Sequence, residues 1–294
     1  PPPSLSLARE MSGRLGPFRR PQLCLFGDSI TQFSMGAGGW GSALASDYQR
    51  HADVLLRGYS GYNSRWALQL LPDLFPSSAS PSETPALVTV FLGANDANRP
   101  PPLLLQPLSA SRQHVPLQEY ESNLAAIVRV IRQMGDGSAK VLIITPPPVD
   151  HEAWHAHCVR SYGSDPDADP NRHFDVTAEY AKAAVSVGKA TSTPVADVHS
   201  AIMAHRDWKA MFDDGLHPNP RGNAVIFEQV KKAIAEHFPE LVPQNPQMPA
   251  AGDVSLTNRG VSGLMMDFPD HKAIDAVDPG STFAEWKMCL KAPE

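Results

Sequence analysis

The chain has 294 residues, of which 42% are apolar and 19% charged, with a formal net charge of −6. That length suits one large domain or two small ones, and the recurring apolar blocks exclude wholesale disorder. An acidic balance with no basic stripe argues against a nucleic-acid partner, and no run of roughly 18 apolar residues predicts a membrane span.

Residues 1–21 carry Arg9, Arg14, Arg19 and Arg20 against one acid, Glu10. They read as a flexible leader with a candidate start at Met11. The alternative is the remnant of an organelle-targeting region, which would be Arg-rich and acid-poor. Residues 22–26 (QLCLF) form a short apolar run that stops at Gly27, the pattern of a buried strand followed by a tight turn. Residues 40–50 read as a helix, 53–57 as a second strand, and 64–75 as a second helix. Residues 86–92 (ALVTVFL) are the clearest strand. In 117–134, Leu117, Tyr120, Leu124, Ile127, Val128 and Ile131 recur at helical spacing. Residues 139–145 read as a fourth strand, closed by Pro146–Pro148. A helix at 173–189, a short strand at 194–198 and an amphipathic helix at 221–238 follow. Residues 241–294 hold too few apolar residues for their own core. They are expected to wrap the 22–240 domain or a second subunit, with Phe283 and Trp286 as anchors.

Proline is abundant, at 29 residues, about twice the usual share of ~5%. The prolines group between the expected elements and are expected to avoid helix interiors. Strands that alternate with helices and are apolar throughout indicate an α/β fold, a five-stranded parallel sheet covered on both faces. Three cysteines, Cys24, Cys158 and Cys289, are sparse and odd in number. They suggest a reducing compartment, cytoplasmic or an organelle matrix if the leader is a targeting remnant.

Open sheets of this kind carry functional residues just beyond the carboxyl ends of their strands. Gly27-Asp28-Ser29 follows the first strand, Gly58-Tyr59-Ser60-Gly61 the second, and Gly93-Ala94-Asn95-Asp96 the third. Asp213-Asp214-Gly215-Leu216-His217-Pro218 precedes the last helix. Alone, Ser29 reads more readily as a helix cap than as a nucleophile. A base changes that balance, because a serine hydroxyl is weak until a neighbour takes its proton. Asp214 could fix one imidazole nitrogen of His217 and leave the other for Ser29, in the chain order Ser…Asp…His. Gly61 and Asn95 could supply a backbone and a side-chain donor to an oxyanion. Taken singly, each of these is as well explained as a turn residue.

These blocks, Phe26-Gly27-Asp28-Ser29-Ile30-Thr31, Arg57-Gly58-Tyr59-Ser60-Gly61-Tyr62-Asn63, Gly93-Ala94-Asn95-Asp96 and Asp214-Gly215-Leu216-His217-Pro218-Asn219, resemble the SGNH (GDSL-type) hydrolases in order and spacing. The first motif has Ile30 where the family's usual form has Leu. Gly38-Gly39-Trp40-Gly41, Gly61-Tyr62-Asn63-Ser64-Arg65-Trp66, Thr145-Pro146-Pro147-Pro148 and Asp267-Phe268-Pro269-Asp270-His271 with Ile274-Asp275 resemble its isoamyl-acetate-hydrolysing and plant esterase branch. The resemblance implies a three-layer α/β/α sandwich of flavodoxin-like form. It implies Ser29 as nucleophile, His217 as base and Asp214 as its partner. The oxyanion donors would be the Ser29 and Gly61 backbone N–H groups and the Asn95 side chain. Asp28 and Asp96 lie inside the motifs and read as loop braces.

Phe33, Trp40, Tyr62 and Trp66 are the aromatic candidates for an acyl pocket. Gly36-Ala37-Gly38-Gly39-Trp40-Gly41 fits the G-x-G-x-x-G pattern, but it does not directly follow the first strand as a dinucleotide site requires. His151, His155, His157 and Cys158 could hold a metal, though a solvent-exposed helical segment explains them as well and the chemistry needs none. No cofactor is expected. The pattern G-x-S-x-G is absent, against an ordinary α/β-hydrolase. The expected activity is hydrolysis of small, acetate-type esters through an acyl-enzyme on Ser29. The alternatives are a thioesterase or acyltransferase with the same residues, or an accessory subunit of a larger assembly that kept the fold.

Overall fold

The computed structural model describes residues 20–81, 83–99, 112–244, 264 and 281. Strands β1 (Gln22–Gly27), β2 (Asp53–Gly58), β3 (Leu87–Phe91), β4 (Lys140–Ile144) and β5 (Val195–Ala196) form one sheet. Its order is β2-β1-β3-β4-β5, and every neighbouring pair is parallel. The helices are α1 (Ser29–Gln32), α2 (Trp40–Asp47), α3 (Ser64–Leu74), α4 (Leu117–Arg132), α5 (His151–Tyr162), α6 (Phe174–Ala190), α7 (Val198–Met203) and α8 (Pro220–His237).

The strands bury both faces because side chains alternate across a pleated strand. Leu23 and Leu25 of β1, Leu87 and Phe91 of β3, and Leu142 and Ile144 of β4 enter one apolar cluster. It also holds Trp40 and Leu44 of α2, Ile202 of α7, and Ile226, Val230 and Ile234 of α8. Cys24 and Phe26, Val88 and Val90, and Val141 and Ile143 enter the other. That one is closed by Leu71 of α3, Leu124 and Ile127 of α4, and Ala184 of α6. The result is the expected α/β/α sandwich.

The sheet order also locates the site. From β1 the chain moves outward to β2, then crosses back over β1 to reach β3. Loops after β1 and β3 therefore leave in opposite directions, and the crevice between them is the topological switch point. Ser29 follows β1 and Asn95 follows β3.

Two expectations need correction. Pro72 lies inside α3, so the prolines do not all avoid helix interiors. It sits in the last turn, where few helical bonds remain to be lost, and its ring is exposed. Two other prolines begin helices, Pro116 as the N-cap of α4 and Pro220 in the first turn of α8. The histidine-rich segment is helix α5, but it is not simply solvent-exposed, because Trp154 and Cys158 are buried. His155 Nε2 meets the Pro166 carbonyl at 3.1 Å, and the His151 ring stacks on His173.

Cys24 and Cys158 are free and buried, and burial pushes the Cys24 thiol up to about 12. Among the described residues no helix is long and apolar enough to cross a membrane. The leader up to residue 19 and most of 241–294, including Phe283 and Trp286, lie outside the described residues. Of the described residues there, Leu264 is buried, accepts a hydrogen bond from Gln244 N–H at 2.9 Å and donates to Val242 O at 2.8 Å.

Candidate active site

The loop after β1 is set by close approach. A side chain at Gly27 would place its Cβ 2.5 Å from the Phe91 carbonyl oxygen, so only glycine lets the chain pass β3. Asp28 then caps α1, its Oδ1 accepting from Ile30 N–H at 3.0 Å. Ser29 becomes the first helical residue, 6% exposed, at the edge of the crevice.

The turn before α8 supplies the other half. Asp213 N–H donates to His217 O at 3.0 Å, and Gly215 adopts φ +92°, a conformation other residues rarely take. Within the turn, Asp214 Oδ1 accepts from Leu216 N–H at 2.9 Å and from His217 N–H at 2.7 Å. Its Oδ2 faces His217 Nδ1 at 2.7 Å, and His217 Nε2 lies 3.0 Å from Ser29 Oγ. Asn219 closes the turn by capping α8 through Arg221 and Gly222 N–H.

Charge states follow from these contacts. Burial acts to raise the Asp214 carboxyl, but the hydrogen bonds from the His217 ring and main chain outweigh it and hold the group at about 2. Asp214 is therefore ionised and accepts only. His217 Nδ1 carries the proton it donates, which leaves Nε2 as an acceptor for the Ser29 hydroxyl. The arrangement can withdraw a proton from Ser29 Oγ.

Asp28 and Asp96 are the buried braces the motifs suggested. Burial raises Asp28 to about 7 and Asp96 to about 6. Asp96 Oδ1 accepts from Ser64 N–H at 2.9 Å, tying the third loop to the start of α3. Asn95 is buried, and its Nδ2 donates to Tyr62 O at 2.9 Å, so the Gly61 loop and the Asn95 loop are bonded together.

The four aromatic candidates separate. Phe33 is 55% exposed, and its ring lies edge-on to His217 with centroids 5.7 Å apart. Tyr62 and Trp66 pack edge to face at 5.9 Å beside the Gly61 loop. Trp40 is 0% exposed, donates from Nε1 to Ile30 O at 3.2 Å and packs on Phe91. It supports α1 from the core and forms no open wall.

Sequence reasoning passed over three residues. Trp154 lies edge-on to His217 at 6.0 Å. Gln113 and Arg172 hydrogen-bond around Asn95. Trp154 was signalled only as a lone aromatic among histidines, and Gln113 and Arg172 stand in polar loops with no periodicity to mark them.

The model of the GDSL-like Lipase/Acylhydrolase family matches residues 25–225. A GDSL esterase/lipase of Arabidopsis thaliana, At5g62930, is 38% identical over 273 residues, covering 92% of this chain and 100% of the relative. The isoamyl acetate-hydrolyzing esterase 1 homolog of Homo sapiens is 37% identical over 221 residues, covering 75% of this chain and 84% of the relative. In structure, the chain is similar to a lipase/acylhydrolase from Enterococcus faecalis, with a TM-score of 0.52 and 23% identity over 74% of this chain and 96% of that one. It is also similar to an acetylxylan esterase from Geobacillus stearothermophilus, with a TM-score of 0.51 and 19% identity over 74% of this chain and 94% of that one. At these identities the two structures speak for the fold, while the family model and the relatives speak for descent. The chain belongs to the GDSL-like lipase/acylhydrolase family of carboxylic ester hydrolases.

Proposed function

We propose that the protein hydrolyses small, acetate-type esters through an acyl-enzyme on Ser29. The observation that carries the reading is the continuous chain Asp214 Oδ2, His217 Nδ1, His217 Nε2, Ser29 Oγ, with contacts of 2.7 and 3.0 Å. Ser29 Oγ attacks the ester carbonyl carbon as its proton passes to His217 Nε2. Asp214 stays ionised and stabilises the imidazolium. The carbonyl oxygen becomes an oxyanion, held by the backbone N–H groups of Ser29 and Gly61 and by the Asn95 side chain. The tetrahedral intermediate collapses, the C–O bond to the alcohol breaks, and His217 returns the proton to the leaving alkoxide. Water then attacks the acyl-Ser29 ester with His217 again as base, releasing the carboxylic acid and restoring the hydroxyl.

The preference for a small acyl group is supported by the relatives named for isoamyl acetate hydrolysis. Two aromatic rings beside His217, Phe33 and Trp154, offer apolar surface for a small ester. The test compares the purified protein with Ser29→Ala on 4-nitrophenyl acetate. The variant is expected to lose roughly 10⁴-fold or more in rate, by analogy with triad serines. Intact-mass measurement of the wild type should show one acetyl adduct early in turnover. Equal rates in the two proteins would overturn the reading.

A further inference from the structure

A side-chain amide has two orientations of nearly equal shape, and only one of them points a donor into an oxyanion hole. What selects the orientation of Asn95 is legible in its contacts. Asn95 Oδ1 accepts from Arg172 Nη2 at 2.8 Å and from Gln113 Nε2 at 3.3 Å. Arginine carries donors and no acceptor, so a flipped Asn95 would set its NH₂ against a guanidinium that cannot receive it. The oxygen is therefore held to the rear. Of the two N–H bonds left at the front, one goes to Tyr62 O, and the other is the one the proposed function assigns to the oxyanion.

Gln113 reaches the second donor as well. Its Nε2 donates to Gly61 O at 2.9 Å, which fixes the plane of the peptide beside the Gly61 N–H. Its own orientation is fixed in turn, since Oε1 accepts from Asn98 Nδ2 at 3.1 Å and Arg172 Nη2 at 3.2 Å. One half-buried glutamine thus ties the loops after β2 and β3 into a single unit, and one arginine backs it.

Arg172 is an expensive residue to place there. It is 2% exposed, and among the described residues its Nε and Nη1 have no hydrogen-bond partner. Burial lowers it to about 10, which still leaves it charged at neutral pH. A buried cation with so few partners costs stability. Its loop is tied down by the Asn98–Arg172 bridge and by Arg99 N–H to Asn171 O at 2.8 Å, and the guanidinium lies 6.0 Å over the Trp154 ring. A charged donor on Oδ1 draws electron density away from Nδ2 and strengthens the remaining N–H as a donor.

We propose that Gln113 and Arg172 are positioning residues for the oxyanion hole: Arg172 acts through Asn95, and Gln113 acts through both Asn95 and Gly61. The proposal rests on the reading of Ser29 as the acylated residue. Its test is a cycle of four proteins on 4-nitrophenyl acetate: wild type, Arg172→Lys, Asn95→Ala and the double variant, with Ser29→Ala as the blank. Arg172→Lys keeps the charge but loses the planar fork. It is expected to lower kcat about 10–100-fold with KM little changed, the split produced by losing a contact made only in the transition state. In the Asn95→Ala background the same substitution should cost less than about 3-fold, because the group it works through is gone. An equal loss in both backgrounds means a general structural role and overturns the proposal. Gln113→Glu provides a second arm if Arg172→Lys folds poorly. It is isosteric, keeps its contact with Arg172 and makes it charge-assisted, and turns the donor facing Asn95 and Gly61 into an acceptor. A kcat within about 2-fold of wild type would overturn the role of Gln113, whereas a loss of about 10-fold or more with a native melting temperature supports it. A wild-type rate no higher than Ser29→Ala removes the parent reading instead, and this proposal with it.

Discussion

Asp28 is a buried carboxyl immediately before Ser29, and its two oxygens are unequal. Oδ1 accepts from Ile30 N–H, while Oδ2 has no partner among the described residues. Burial raises the group to about 7, above the ~3.9 of an unfolded aspartate. Between those values the folded chain binds more protons than the unfolded one, so this group's contribution to stability falls as pH rises from about 4 to 7. Asn keeps the capping oxygen and never ionises. The melting temperature of Asp28→Asn minus that of wild type should therefore become more positive from pH 5 to pH 8. A flat or declining difference in calorimetry would contradict the assignment. Each kcal/mol corresponds to about 2–4 °C in a chain of this size. Asp214 behaves oppositely. Its carboxyl is held at about 2, so its contribution is intact above about pH 4 and is lost only as pH falls through the folded value.

At the scale of elements, the site depends on how helices begin and end. Asp28 caps α1, Asn63 caps α3 by accepting from Trp66 N–H, and Asn219 caps α8. All three caps belong to loops that carry site residues, so the bonds that start the helices also place Ser29, Gly61 and His217. Helix α3 ends differently, with Pro72 in its last turn. That proline cannot donate to the carbonyl four residues earlier. Pro72→Ala should restore the bond, and the gain is partly offset because alanine frees the unfolded chain. A rise of about 1 kcal/mol in unfolding free energy by urea titration is expected, with esterase activity unaffected. These features differ in how far the sequence exposed them. The strands and long helices were legible because their apolar periods are strong. The helix expected over 64–75 is there, but the expectation that prolines avoid helix interiors missed Pro72 within it, where Leu71 packs into the apolar cluster and the last turn has few bonds to lose.

The whole molecule rests on two apolar clusters that share the same strands. Leu25 and Phe26 are adjacent in β1 yet enter opposite clusters. Neither layer keeps its packing if the sheet is lost, so melting should be a single transition. Ile127, buried on the α4 side, is far from the crevice in function but not in energy. Ile127→Ala is expected to cost about 2–5 kcal/mol, and the melting temperature should drop as one step in circular dichroism and in loss of activity. Two separated steps would show that the layers unfold independently. Below the transition, kcat should match wild type.

The sequence by itself determined the class of fold and singled out the candidate site residues. Both are written in short local patterns: apolar runs at strand and helix period, and polar motifs at the ends of strands. It also determined that Asp214 and His217 meet, because they lie within one turn. Only the tertiary structure decided what lies between residues distant in the chain. It put Ser29 Oγ against His217 Nε2, sent Trp40 into the core while leaving Phe33 open, and gathered Gln113 and Arg172 behind Asn95. Those two residues sit in loops without periodicity, and a loop's side chain acquires its role from whichever element the fold sets beside it. The strand order, which opens the crevice between β1 and β3, made that choice.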